Sequence, residues 1–253
     1  MRWLPALAIL IATPALAAER IDVVMASDSR DTVLTYSETV IEEVDEDDGE
    51  FVTDSDDDGS ADAVIARWAG VSPHREPVPA IAVAGPFRLV ARDTLALVGT
   101  IDSRGPAQFA AIMARYPGVT RLLMVDCPGS VDEDANRRLA RAVRAAGLIT
   151  TVPHGGSVRS GAVDLFLAGR TREAAPDAEF GVHSWRDEDG REANRVPPND
   201  PVHAGYIAYY REMGMSDADA RRFYALTNSV GFENVRYLSA REMAAMGLAR
   251  VIK

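Results

Sequence analysis

Cysteine is almost missing from this chain. Cys127 is the single thiol in 253 residues, which excludes an internal disulfide framework and any zinc site built from several thiolates. Aromatic residues amount to 7%, too few for the stacked platforms that hold single-stranded nucleic acid. Basic residues do not outnumber acids: 27 Lys and Arg face 38 Asp and Glu, a net charge of −11. A binder of phosphate backbones, and nucleic acid as a partner, are therefore excluded. The apolar run at the N terminus, about Leu4 to Ala12, falls short of the roughly 20 residues that cross a bilayer. What is present is a 47% hydrophobic composition, enough for one sizeable core.

The negative charge is local. Thirteen acids lie between Glu38 and Asp62 with no Lys or Arg among them, and the remaining 25 acids face 27 bases. Ahead of this segment, Arg2, the apolar run and the small residues before Glu19 read as a secretory signal over residues 1–18. The expected compartment is the periplasm or the cell exterior, with no stable membrane span after cleavage. Residues 19–80 form an acidic region of short strands or disorder, with Thr32–Tyr36, Glu50–Thr53 and Ala63–Trp68 as the strand candidates. Within it Asp54, Asp56, Asp58, Gly59 and Asp62 follow a D-x-D-x-D-G-x-x-D pattern. Alternate carboxylates there can converge on one hard cation, and the glycine permits the bend. Position twelve is Ile65, not the bidentate Glu of an EF-hand. Calcium on these four aspartates is the only cofactor expected, and catalysis calls for none.

From Asp93 strands and helices alternate. Thr94–Ile101, Arg121–Val125 and Leu148–Val152 are apolar runs of strand length. A helix opening at Pro106 carries Phe109, Ile112 and Met113 on one face, and Asp132–Ala146 is a second, with acids first and Gly147 last. That second helix sets Arg137, Arg138, Arg141 and Arg144 on its polar side, which reads as a solvated face. Ser160–Ala168, Val202–Met213 and Ser216–Leu226 are further helices, Tyr206, Ile207, Tyr210 and Met213 forming a packing stripe. The alternation predicts repeated β-α units on a parallel sheet, an α/β domain over residues 81–253.

Two strand-to-helix junctions are glycine-rich, Asp126–Val131 and His154–Ala162. Carboxyl ends of parallel strands line the ligand crevice. A serine at a helix start gains from the dipole and the free amides, which steady a developing oxyanion. Ser160 holds that position, and His183, at the end of the next strand, is placed to take its proton. Taken singly, Ser160 is an N-cap, His183 a core imidazole, and Cys127 a small buried residue at a strand end.

The motif order resembles the ClpP/crotonase superfamily, in particular the proteolytic subunit of Clp protease and its exported relatives. The matching stretches are Cys127-Pro128-Gly129-Ser130 for the oxyanion loop, Gly156 four residues before Ser160, and the strand ending in His183. The run Arg236–Ala249 resembles the family's closing segment. The resemblance spans roughly residues 95–252. It implies Ser160 as nucleophile, His183 as base, and amides of Gly129 or Ser130 with Gly161 as the oxyanion hole. It also implies a peptide or protein substrate and the option of a homo-oligomer. The sequence departs from the family in three places. The 23 residues from Ser160 to His183 fall short of the family's spacing, ascribed to a tighter turn near Arg172–Pro176. The acid expected before the closing segment is replaced by Asn234, with Glu233 next to it. Arg159 beside the nucleophile is foreign to the pattern and is read as binding a substrate carboxylate or reaching solvent. The resulting expectation is an exported serine hydrolase of peptidase type. The alternative is a catalytically degraded binding or scaffold protein on the same fold.

Overall fold

The computed structural model describes residues 80–253. The signal segment, the acidic region with Asp54, Asp56, Asp58 and Asp62, the three strand candidates within it and His74 lie outside the described residues. Among the described residues no helix is long and apolar enough to cross a membrane.

Ten strands form one sheet that forks. An antiparallel start runs β1 (Ala82–Ala84), β2 (Phe87–Ala91) and β3 (Thr94–Val98), after which β3 pairs in parallel with β4 (Arg121–Cys127). The fork is at β4. Its first half, Arg121–Leu123, pairs with β5 (Ile149–Val152), and its last two residues, Asp126 and Cys127, pair with β6 (Ser157–Arg159). β4 has seven residues and β5 four; Pro153 then follows, and the Gly156 amide closes a turn onto its carbonyl at 2.9 Å. The chain therefore leaves the lower level and re-enters beside the upper end of β4.

The next unit repeats the step. β7 (Thr171–Ala174) pairs with β5, and β8 (Glu179–Val182) pairs with β6. The lower branch continues to β10 (Arg250–Val251) and the upper one to the antiparallel β9 (Arg236–Ser239). This is the α/β architecture with a mostly parallel sheet that the alternation predicted. Six of its strands, β1, β2, β6, β7, β9 and β10, were not foreseen. The stretch read as a tight turn near Arg172–Pro176 is largely β7, and the glycine-rich junction before Ser160 contains β6.

Helices cover the sheet, the first five where the sequence pattern placed them and the last within the closing segment: α1 (Gly105–Arg115), α2 (Glu133–Ala145), α3 (Gly161–Leu167), α4 (Pro201–Glu212), α5 (Asp217–Thr227) and α6 (Ala240–Ala245). Asp132 caps α2 by accepting from the Ala135 amide at 2.8 Å, a bond of about 1 kcal/mol. Ser239 and Glu242 form a reciprocal capping box on α6, which gives a local physical reason for the Ser-Ala-x-Glu order in the closing segment. Phe109, Leu122, Met124, Leu139, Val143, Phe166 and Phe180 belong to the continuous core beneath.

The arginine stripe of α2 is solvated only in part: Arg138 and Arg141 are exposed, while Arg137 and Arg144 are half-buried. Arg141 makes two parallel hydrogen bonds to Glu212 of α4, at 2.8 and 3.0 Å. The Arg137 guanidinium lies 4.7 Å from the Tyr206 ring centroid and pairs with Glu133. The face opposite the core was needed to seat a later helix, which a helical wheel of α2 alone cannot show. Tyr206, Tyr210 and Met213 are buried, as expected of a packing stripe.

Candidate active site

β6 ends at Arg159 and α3 begins at Gly161, so Ser160 makes the whole turn between strand and helix. Its φ is 53° and ψ −132°, and it is the one non-glycine residue with positive φ among those described. Such a conformation costs about 1–3 kcal/mol and persists only where the surroundings over-determine it. Several contacts do so. The Ser160 amide donates to Gly181 O at 2.8 Å, and the Ser160 carbonyl accepts from Val163 at 2.9 Å. The hydroxyl makes no capping bond to its helix, so Ser160 is no ordinary N-cap. A sharp, strained strand-to-helix turn that presents a free Oγ is the arrangement of a nucleophile elbow.

The loop at the end of β4, residues 127–130, packs directly on this serine. A Cβ on Gly129 would lie 2.9 Å from Ser160 Cβ and 3.4 Å from its Oγ, and φ at Gly129 is +143°. Position 129 therefore requires glycine on both counts. Ser130 forms a parallel bridge with Ile101 in which Gly129 O and the Val131 amide face Ile101. By strand alternation the Ser130 amide turns the other way, and it lies 3.5 Å from the Cβ position of Gly161. Asn136, 2% exposed on α2, donates from Nδ2 to Gly161 O at 2.8 Å and orients that peptide. Gly129, Ser130, Ser160 and Gly161 are thus brought together.

His183 leaves β8 at the same end of the neighbouring strand, two residues beyond the Gly181 that holds Ser160. Its Nδ1 is 2.7 Å from Ser184 O. A carbonyl only accepts, so Nδ1 carries the proton and Nε2 the lone pair. The ring meets Phe232 edge-on at 4.9 Å, and the Arg186 guanidinium lies 4.1 Å from the Phe232 centroid and pairs with Glu233 at 2.9 Å. Burial pushes the imidazole down to about 4; the Ser184 carbonyl and Glu233 oppose it, and Arg186 adds to it. The ring is therefore neutral at neutral pH.

The tautomer-fixing role expected of Asn234 falls to Ser184 O. Asn234 sits in the segment whose Phe232 covers His183, and its own amide donates to Gly231 O at 3.0 Å. Its side chain amide nitrogen is 3.8 Å from the Cβ position of Gly231.

Arg159 neither reaches solvent nor stands open to a substrate. It is 1% exposed, donating to Asp126 Oδ1 at 2.9 Å and to Ser157 Oγ at 2.7 Å. Cys127 is buried, and burial pushes its thiol up to about 12, so no thiolate is present to compete with Ser160. His154 pairs with Asp177 at 2.9 Å on the surface, and His203 Nδ1 is 2.7 Å from the Tyr224 hydroxyl.

No family model matches the chain, and no curated protein does. Solved structures do. A variant of the 1510-N membrane-bound stomatin-specific protease superposes with TM-score 0.46 at 19% identity, over 64% of this chain and 77% of that one. The 1510-N membrane protease specific for a stomatin homolog from Pyrococcus horikoshii gives 0.42 at 18%, over 62% and 71%. A ClpP1 variant from Listeria monocytogenes gives 0.46 at 14%, over 64% and 92%.

Proposed function

We propose that the protein is a serine hydrolase of Clp type that cleaves peptide bonds. The observation that carries this reading is the Ser160 backbone, strained at a strand-to-helix turn, its hydroxyl free of the helix and Gly129 packed on it.

Ser160 Oγ attacks the scissile carbonyl carbon while its proton passes to Nε2 of His183. The carbonyl π electrons move onto oxygen, which the Ser130 and Gly161 amides receive. Collapse expels the amine, which takes the proton from His183. Water, giving a proton to the same imidazole, attacks the acyl carbon, and the imidazolium returns that proton to Ser160 Oγ as the acid leaves. A neutral histidine with the proton fixed on Nδ1 is the form this cycle needs. An amine base in its place is disfavoured by composition, since the one lysine is Lys253, exposed after β10.

One observation favours a second reading, a Clp-type binding protein without turnover. His183 Nδ1 faces a carbonyl, which orients imidazole but stabilises imidazolium less than a carboxylate does. One experiment separates the two. Wild type should react with a fluorophosphonate probe and Ser160→Ala should not. A folded wild-type protein that never reacts sinks the hydrolase reading and leaves the binding one.

Two further proposals come from the sequence. Residues 1–18 act as an export signal, expected to be missing when the N terminus of the mature protein is read by mass spectrometry. Asp54, Asp56, Asp58 and Asp62 bind calcium, expected to give a calorimetric signal that Asp56→Ala abolishes.

A further inference from the structure

A guanidinium buried to 1% beside the nucleophile is costly. Removing such a charge from water is repaid only by good partners, and apolar replacements of buried ion pairs are frequently neutral or stabilising. Arg159 does not have all its partners. Nη1 and Nη2 are bonded to Ser157 and Asp126, while the buried Nε has none. Stability alone does not account for it.

Its connections run to the residues that set Ser160. Asp126 lies on β4 directly opposite Ser157 of β6, so the Asp126 bond ties the short upper strand to β4, while the Ser157 bond, within β6 itself, fixes the direction of the guanidinium. The stem passes over Gly181, where a Cβ would lie 2.9 Å from Arg159 Cγ and 2.9 Å from Val235 Cγ1. That same Gly181 accepts the Ser160 amide at 2.8 Å. The side chain thus reaches the sheet on both flanks of the strand that delivers Ser160.

We propose that Arg159 is a positioning residue: clamped to Asp126 and Ser157 and seated on Gly181, it holds Ser160 in its strained, reaction-ready backbone. The proposal rests on the hydrolase reading for its effect on rate, though its geometric half stands independently. Displacing a reacting group by about 1 Å costs on the order of 100-fold. No substrate contact is assigned to Arg159.

The test is the double variant Asp126→Asn/Arg159→Met, which removes both charges while keeping bulk, measured in two ways. Fluorophosphonate labelling should lose about 10- to 100-fold in its limiting rate, with the probe's half-saturating concentration and the melting temperature near wild type. A crystal structure of the variant should show Ser160 φ relaxed to negative values. Arg159→Lys, which restores charge but not both bonds, should recover part of the rate, and it carries the same two readouts if the double variant does not fold. An unchanged rate with φ still near +53° overturns the proposal, as does a rate that falls only in step with melting temperature. If wild type never labels yet φ relaxes in the variant, the hydrolase reading fails and the positioning inference stands.

Discussion

On the lower branch of the sheet Glu173, 6% exposed, takes Arg121 on one carboxylate oxygen and Arg250 on the other, with Thr151 beside them. On the upper branch Arg159, more deeply buried, is bonded to Asp126 and Ser157 and retains an unsatisfied Nε. Both are ionic clamps across neighbouring strands, and they differ in what surrounds them. Around Glu173 the strands β5 and β7 pair at four consecutive positions. Around Arg159 the strand β6 is three residues long and meets β4 at only two positions, the next residue has positive φ, and Gly129 and Gly181 each exclude a Cβ by contacts of 2.9 Å. The lower clamp adds cohesion where the backbone is relaxed. The upper one sits where backbone geometry has been forced, which is where catalytic sites store strain.

The sharpest way to break this contrast is Gly129→Ala. A methyl group there meets Ser160 Cβ at 2.9 Å, and φ of +143° is strained for alanine. Fluorophosphonate labelling should fall at least about 100-fold. A rate within a few-fold of wild type would mean that the Gly129 contact does not set the site. On the other branch Glu173→Gln leaves two arginines facing an amide. Urea unfolding should show a loss of about 2 kcal/mol, with the labelling rate at 25 °C unchanged. If the rate fell as far as it does in Gly129→Ala, the two branches would not be separable in function.

How much of this was legible in the sequence follows the range of the forces involved. Helices α1 and α2 declared themselves through local signals, Pro106 at one start and Asp132 with its following acids at the other. Ser160 was found by its spacing from Gly156 and by the helix that follows. The backbone strain that gives Ser160 its role was not legible, because it depends on Gly181 O and on Gly129, brought in from other strands. β7 was missed for a similar reason. Thr-Arg-Glu-Ala carries no strand pattern until Glu173 meets Arg121 and Arg250, which lie 52 and 77 residues away. Arg159, expected to bind a substrate carboxylate or to reach solvent, is instead buried against a partner, Asp126, that lies 33 residues upstream. A charged residue between Val158 and the nucleophile was the available clue.

Acid probes the upper branch more gently. The folded imidazole of His183, held near 4 by burial, refuses a proton that the unfolded chain accepts below about 6.5. The unfolded state then binds more protons, so stability declines as pH falls from about 6.5 to about 4 and levels off below that. Labelling should hold its rate down to about pH 5 and fall near pH 4, because the base stays neutral through the window in which stability is lost. His183→Gln should flatten the His183 part of the stability slope. A labelling rate that instead halves near pH 6.5 would show an imidazole open to water.

The smallest effect should come from beneath the nucleophile helix. Asp164 of α3 is pushed up to about 7 by burial first and by Glu133 next, against Tyr210 and Arg137, which pull it down. The sign is opposite to that of His183. Between about pH 4 and 7 the unfolded carboxyl has released its proton while the folded one keeps it, so Asp164 lowers stability as pH rises through that range. Asp164→Asn keeps the uncharged form at every pH. It should therefore add stability at pH 8 and almost none at pH 4, read by urea unfolding at both. Labelling should be unaltered, because the contacts that hold Ser160 run to Gly181, Gly129 and Val163 and not to the Asp164 side chain. A change in labelling without a change in stability would instead tie α3, and its contact through the Asp164 carbonyl to the Tyr209 hydroxyl at 2.7 Å, to the geometry of the serine.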